Sequence, residues 1–165
     1  MRVETEESDL RLYASIKTDS WKTYSYFIDS ADCFLFLQRG SKVGMKDATY
    51  WAPMLKGFDQ KCEIGAIIKG TVADAKCSFL EMKTGDTYMK GKGSVKGLPN
   101  IEETVFDVEL SELKSSSQDF NQIQFGEMLS DVKLPELLNS LGEISMTADF
   151  KGLLHNFEAN AKIST

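Results

Sequence analysis

The chain has 165 residues, a formal net charge of −6, a pI near 4.9 and 42% hydrophobic residues. That composition suits one globular domain with a core of its own. With no dense Lys/Arg stripe it disfavours nucleic acid and anionic membrane surfaces as partners, and no apolar run is long enough to span a bilayer.

The first residues, with Glu4, Glu6, Glu7 and Asp9, lack the basic and apolar parts of a secretory leader. Residues 9–18 alternate, Leu10, Leu12, Ala14 and Ile16 against Arg11, Tyr13, Ser15 and Lys17, as in a half-buried strand. Asp19 or Ser20 is placed to cap a short helix with Trp21, Tyr24 and Ile28 on one face. Cys33 to Leu37 is apolar on both faces and predicts a covered strand. Gly40-Ser41 predicts a turn, with Val43 and Met45 opening a new strand. Asp47 as a cap predicts one or two helical turns to Leu55, limited by Pro53.

The strongest strand signal follows, with Cys62, Ile64, Ala66, Ile68 and Val72 on one face. Ala75 to Met82 is its return arm, and Gly85-Asp86 is a hairpin turn. Met89, Gly91, Gly93 and Val95 then alternate with Tyr88, Lys90, Lys92, Ser94 and Lys96. The lysine side is expected in water, and the two glycines leave room under the sheet or mark a bend. Phe106, Val108 and Leu110 resume after Pro99, with Asp107, Glu109 and Ser111 outward. Ser117 is placed to cap a helix carrying Phe120 and Ile123. Leu134 to Gly142 predicts another, with Leu134, Leu137, Leu138 and Leu141 in a stripe. Ile144, Met146, Ala148 and Phe150 form a strand whose hairpin partner carries Phe157, Ala159, Ala161 and Ile163. That alternation runs up to Thr165, so the expectation is a piece of a longer exported protein, with a cytosolic chain as the alternative.

A turn of one form recurs: Lys69-Gly70 with Asp74 after it, Lys96-Gly97 with Asn100, Lys151-Gly152 with Asn156, and Lys56-Gly57 with Asp59. Glycine takes the backbone angles of a tight turn, and Asp or Asn bonds its own backbone there. The inventory is about eight to ten strands with short connections, hence antiparallel pairing.

Catalytic signatures are missing. There is no Gly-x-Ser-x-Gly elbow, P-loop or His-Glu-x-x-His, and the single His155 falls in a turn. Cys33, Cys62 and Cys77 show no metal-ligand spacing; Cys62 and Cys77, within apolar runs, are expected as buried thiols, with one disulfide left open. No enzyme activity, metal or cofactor is expected. A one-sided apolar sheet of roughly 26 by 40 Å remains, which needs a cover or a ligand.

Short segments in order resemble the TamB family of translocation and assembly module subunits, in its Bacteroidetes form, and more broadly the AsmA-like proteins. They are Ser20-Trp21-Lys22 with Ile28-Asp29-Ser30, Lys46-Asp47-Ala48 with Tyr50-Trp51-Ala52-Pro53 and Leu55-Lys56-Gly57, and Lys69-Gly70-Thr71-Val72-Ala73-Asp74. Next come Gly97-Leu98-Pro99-Asn100-Ile101 with Thr104, Leu134-Pro135 with Leu138 and Leu141-Gly142-Glu143-Ile144, and Phe150-Lys151-Gly152 with Asn156-Phe157. The approach to Asn156 through Leu153-Leu154-His155 and the three cysteines depart from the family pattern.

The resemblance implies a mainly β fold: a curved antiparallel sheet forming a half-open, β-taco-like groove with about three or four short capping helices. Residues 1–8 are then a disordered or appended N-terminus, and residues 9–165 are one β-rich repeat domain of a longer chain. It implies a periplasmic segment of a protein anchored in the inner membrane, which partners an outer-membrane β-barrel assembly protein. The implied function is support of outer-membrane biogenesis and protein secretion, by carrying phospholipid acyl chains between the two membranes. The groove candidates are Leu12, Ala14, Ile16, Ile64, Ile68, Met89, Val95, Phe106, Val108, Leu110, Ile144, Met146, Phe150 and Ile163. Two alternatives stand beside this: a scaffold for client β-strands during outer-membrane protein assembly, and a β-domain closed by its own helices.

Overall fold

The computed structural model describes residues 1–18, 26–48, 61–116 and 143–164. Among these, nine strands form one open antiparallel sheet in sequence order, each hydrogen-bonded to the next. They are β1 (Arg2–Glu4), β2 (Asp9–Lys17), β3 (Asp32–Gly44), β4 (Lys61–Gly70), β5 (Asp74–Thr84), β6 (Thr87–Lys96), β7 (Val105–Ser116), β8 (Glu143–Leu153) and β9 (Asn156–Ser164). The helices among the described residues are two single turns, α1 (Phe27–Ser30) and α2 (Met45–Ala48). The other predicted helical stretches, around Trp21, from Thr49 to Leu55 and across 117–142, lie outside the described residues.

Several elements depart from the sequence reading. β3 runs unbroken through Gly40-Ser41, because two extra residues between Leu37 and Ser41 are taken up as a bulge against β4. Met45 begins α2 and is not a strand residue. Cys33, Leu35 and Leu37 point to one face of β3 and Phe34 and Phe36 to the other; Phe36 is exposed, so the strand is not covered on both sides. Val72 lies beyond the end of β4, in the connection to β5.

Residues 1–8 join the sheet edge. β1 pairs with β2, and the Arg2 guanidinium forks onto the Asp9 carboxylate at 2.8 and 2.9 Å. Asp47 is not a helix cap. Its Oδ2 accepts from the Ser8 and Thr5 hydroxyls, each at 2.6 Å, while Ser8 Oγ accepts from the Gly44 N–H at 2.9 Å.

The repeated Lys-Gly turns share one structural reason. β4, β6 and β8 run in the same direction, so Lys69-Gly70, Lys96-Gly97 and Lys151-Gly152 all fall at one margin of the sheet. Gly70, Gly97 and Gly152 have φ of 121°, 110° and 136°. At Gly152 a Cβ would meet Asn156 O at 2.5 Å and Phe157 Cα at 2.7 Å. A side chain there fails on both angle and space. Lys56-Gly57 lies outside the described residues.

Gly152→Ala should cost about 3 kcal/mol in chemical denaturation. Gly40→Ala, at φ 75° with open space around it, should cost only about 1–2 kcal/mol. The hydroxyls of Ser8 and then Thr5 hold the Asp47 carboxyl below its usual pKa. A lowered folded-state value gives stability above the ordinary carboxylate pKa, lost as pH falls through the folded one. The gap in denaturation midpoint between wild type and Asp47→Asn should therefore be full at pH 6 and close below about pH 4.

Candidate functional site: the apolar face

Strand register assembles the candidate surface, since residues directly opposite on paired strands share a face. Five rows cross the sheet. The row at the Lys-Gly margin runs Ile16, Cys33, Gly70, Ala75, Val95, Phe106, Gly152, Phe157. The second runs Ala14, Leu35, Ile68, Cys77, Gly93, Val108, Phe150, Ala159. The third runs Leu12, Leu37, Ala66, Leu80, Gly91, Leu110, Ala148, Ala161. The fourth runs Ser41, Ile64, Met82, Met89, Leu113, Met146, Ile163. The fifth, at the far margin, brings Val43 and Cys62 beside Thr84, Thr87, Ser115 and Ile144.

All fourteen sequence candidates thus lie on one face. Sequence alternation missed a further set: Cys33, Leu35, Leu37, Cys77, Leu80, Met82 and Leu113. The signal for some of these was a serine where the apolar spacing lengthens from two to three. Ser78 is an extra residue in β5, so Cys77 and Leu80 share a face across it. Ser111 does the same in β7 between Leu110 and Leu113. Gly91 and Gly93 are explained by close approach: a Cβ there would meet Glu109 O at 2.6 Å or Asp107 O at 2.8 Å.

Cover on this face is uneven. The buried apolar side chains among the described residues are Ala31, Cys62, Ala66, Leu113 and Ile144, and three of these five lie in the fourth and fifth rows. At that margin Thr84, Thr87 and Ser115 are buried with their hydroxyls satisfied, and Thr87 and Ser115 share a hydrogen bond of 2.7 Å. Toward the Lys-Gly margin and the outer strands the face opens: Ile16 is 59% exposed, Phe157 52%, Ile163 49% and Val108 38%. Phe150 stacks on Phe157 with ring centroids 4.7 Å apart, and both rings remain on the open side.

The opposite face is charged. Lys92 pairs with Glu109 at 2.8 Å, Lys151 with Asp107 at 3.3 Å and Arg39 with Glu81 at 3.0 Å. The Glu109 carboxylate raises the Lys92 pKa, so that ammonium stays charged. Beside the Ser78 bulge is a depression of about 420 Å³. Lys76 and Lys92 there are matched by Asp107 and Glu109, which leaves no net field for an anion. A smaller aromatic group also sits on this side, where Tyr13 meets Phe34 at 6.0 Å and the Arg39 guanidinium lies 4.5 Å over the Phe79 ring.

Among the described residues no cluster of His, Cys, Asp and Glu could hold a metal ion. No helix among them is long and apolar enough to cross a membrane, which says nothing of a β-barrel. Compared with known protein families, curated proteins and solved structures, the chain matches none. The likeness to the AsmA-like proteins rests on the quoted segments alone.

The three thiols probe the cover directly. Cys62 is buried and Cys33 and Cys77 are half-buried on the open rows; burial raises the pKa of both Cys62 and Cys77, so access and not acidity separates them. A maleimide should label Cys33 and Cys77 in native protein, and Cys62 only on unfolding. Equal protection of all three would mean that the face is covered.

Proposed function

We propose that the chain works through its apolar face as a carrier surface for phospholipid acyl chains. In this reading the sheet curls about that face into a half-open groove, short helices cap the groove, and headgroups stay in water along its open side. The groove is a segment of a longer periplasmic protein anchored in the inner membrane. It conveys phospholipid between the inner and outer membranes and meets an outer-membrane β-barrel assembly protein at its far end. No catalytic group is needed, since transfer is binding and release.

The observation that supports this is the size of the half-exposed apolar area. The rows cross eight strands, β2 to β9, about 34 Å, and run about 26 Å along; even with the fourth and fifth rows buried over the central strands, the apolar face is larger than the few hundred Å² that a soluble surface ordinarily exposes. Each fully buried methylene is worth about 0.8 kcal/mol, so roughly a dozen laid on the face and half covered give about 5 kcal/mol. That is enough to hold a chain and weak enough to let it slide. Rows made of different apolar side chains grade the surface without any polar anchor, which suits a ligand recognised by its hydrocarbon.

Val108→Asp tests the reading, because Val108 lies within the second row and is already 38% exposed. Native mass spectrometry should show phospholipid retained by wild type and lost from the variant, with the far-UV circular dichroism of both alike. A lipid-free wild type that also takes up none from phosphatidylethanolamine and phosphatidylglycerol vesicles would overturn it.

A further inference from the structure

Between β2 and β5 the charged face carries an apolar row of its own. Register sets Tyr13 opposite Phe36, Phe36 opposite Ile67 and Ile67 opposite Phe79. Tyr13 is 58% exposed and Phe36 40%. In the next row toward the Lys-Gly margin, Phe34 is opposite Lys69 and Lys69 is opposite Lys76. Like charges directly opposite each other destabilise a strand pair. The Lys69 ammonium rests 5.3 Å over the Phe34 ring, and among the described residues neither lysine makes an ion pair. The carboxylates nearby are engaged elsewhere. Asp32 is opposite Lys17, Asp74 is opposite Lys96, and Glu81 pairs with Arg39 at 3.0 Å. Asp107, which faces Lys76 across the depression beside Ser78, is also held by Lys151 at 3.3 Å. Lys69 lies outside that depression, so its charge is not balanced there.

We propose that this patch docks an acidic stretch of a partner polypeptide. Carboxylates of the partner lie over Lys69 and Lys76 and relieve their mutual repulsion, and an apolar side chain fits between Tyr13 and Phe36. The four strands from β2 to β5 span about 14 Å, the length of about four or five extended residues. An occupant of that width stays on the positive part of the face. A flat anionic bilayer or a nucleic acid strand would reach past β5 and meet Glu109 and Asp149, which stand opposite each other on β7 and β8. Exposed aromatic side chains flanked by unmatched cations are the composition of a protein-docking surface, with the rings as anchors. The site uses the charged face alone. It is therefore independent of the lipid reading and of any strand that continues the sheet at either edge.

Fluorescence anisotropy of labelled pentapeptides at low salt tests the site. The peptide Glu-Phe-Glu-Phe-Glu should bind wild type, and Lys-Phe-Lys-Phe-Lys should not, although the chain itself is acidic. Lys69→Glu should weaken binding roughly tenfold or more. The same variant should raise the urea midpoint, because an opposite-charge pair replaces a like-charge one. Phe36→Ser should also weaken binding, with far-UV circular dichroism unchanged. Val108→Asp, on the other face, should bind the peptide as wild type does. A wild type that binds no Glu-Phe-Glu-Phe-Glu overturns the proposal, as does binding left unchanged by both Lys69→Glu and Phe36→Ser. Oligothymidylate or phosphatidylglycerol vesicles bound through Lys69 in place of the peptide would overturn it as well.

Discussion

The structure depends on register. Among the described residues the sheet is a single meander with no second layer to correct a strand that slips, and one residue of slip would turn every apolar side chain to the other face. The chain holds register by two devices. At one margin glycines at positive φ close the turns after β4, β6 and β8. Within the strands, bulges at Ser78 and Ser111 and the two extra residues before Ser41 bring the alternation back into phase with its neighbours. The five rows are the product of these corrections.

Charge adds a second constraint. Ion pairs such as Lys92–Glu109 and Lys151–Asp107 join neighbouring strands on the charged face. Exposed pairs of this kind add little stability, but they fix which face is wet. The apolar face is then left with buried residues at one margin and half-exposed rows at the other. That gradient separates a structural part of the face from a part free to act. The buried hydroxyls of Thr84, Thr87 and Ser115 belong to the structural part, because their hydrogen bonds are satisfied within the sheet.

Much of this was legible in the sequence. Alternation found the strands from Leu12 to Ile163 and placed fourteen residues on their correct face, and the Lys-Gly repeat marked turns that share one margin. Bulges were not legible, because local alternation cannot say whether a spacing of three is a break between strands or an extra residue within one. That ambiguity hid Leu80, Met82 and Leu113 and split β3 at Gly40. The N-terminus was misjudged as well: the resemblance made residues 1–8 a disordered or appended stretch, whereas hydrogen bonds from Thr5 and Ser8 to Asp47 tie it to the sheet. Those bonds join residues about forty positions apart, beyond the reach of any local pattern.

The central claim is that the apolar face is open toward the Lys-Gly margin and along the outer strand β9, and closed from β4 to β8 at the other margin. Methyl NMR with a water-soluble paramagnetic agent measures this most directly. The account predicts strong broadening of the methyls of Ile16, Val108 and Ile163 and sparing of Leu113 and Ile144. Equal protection of all five would contradict it.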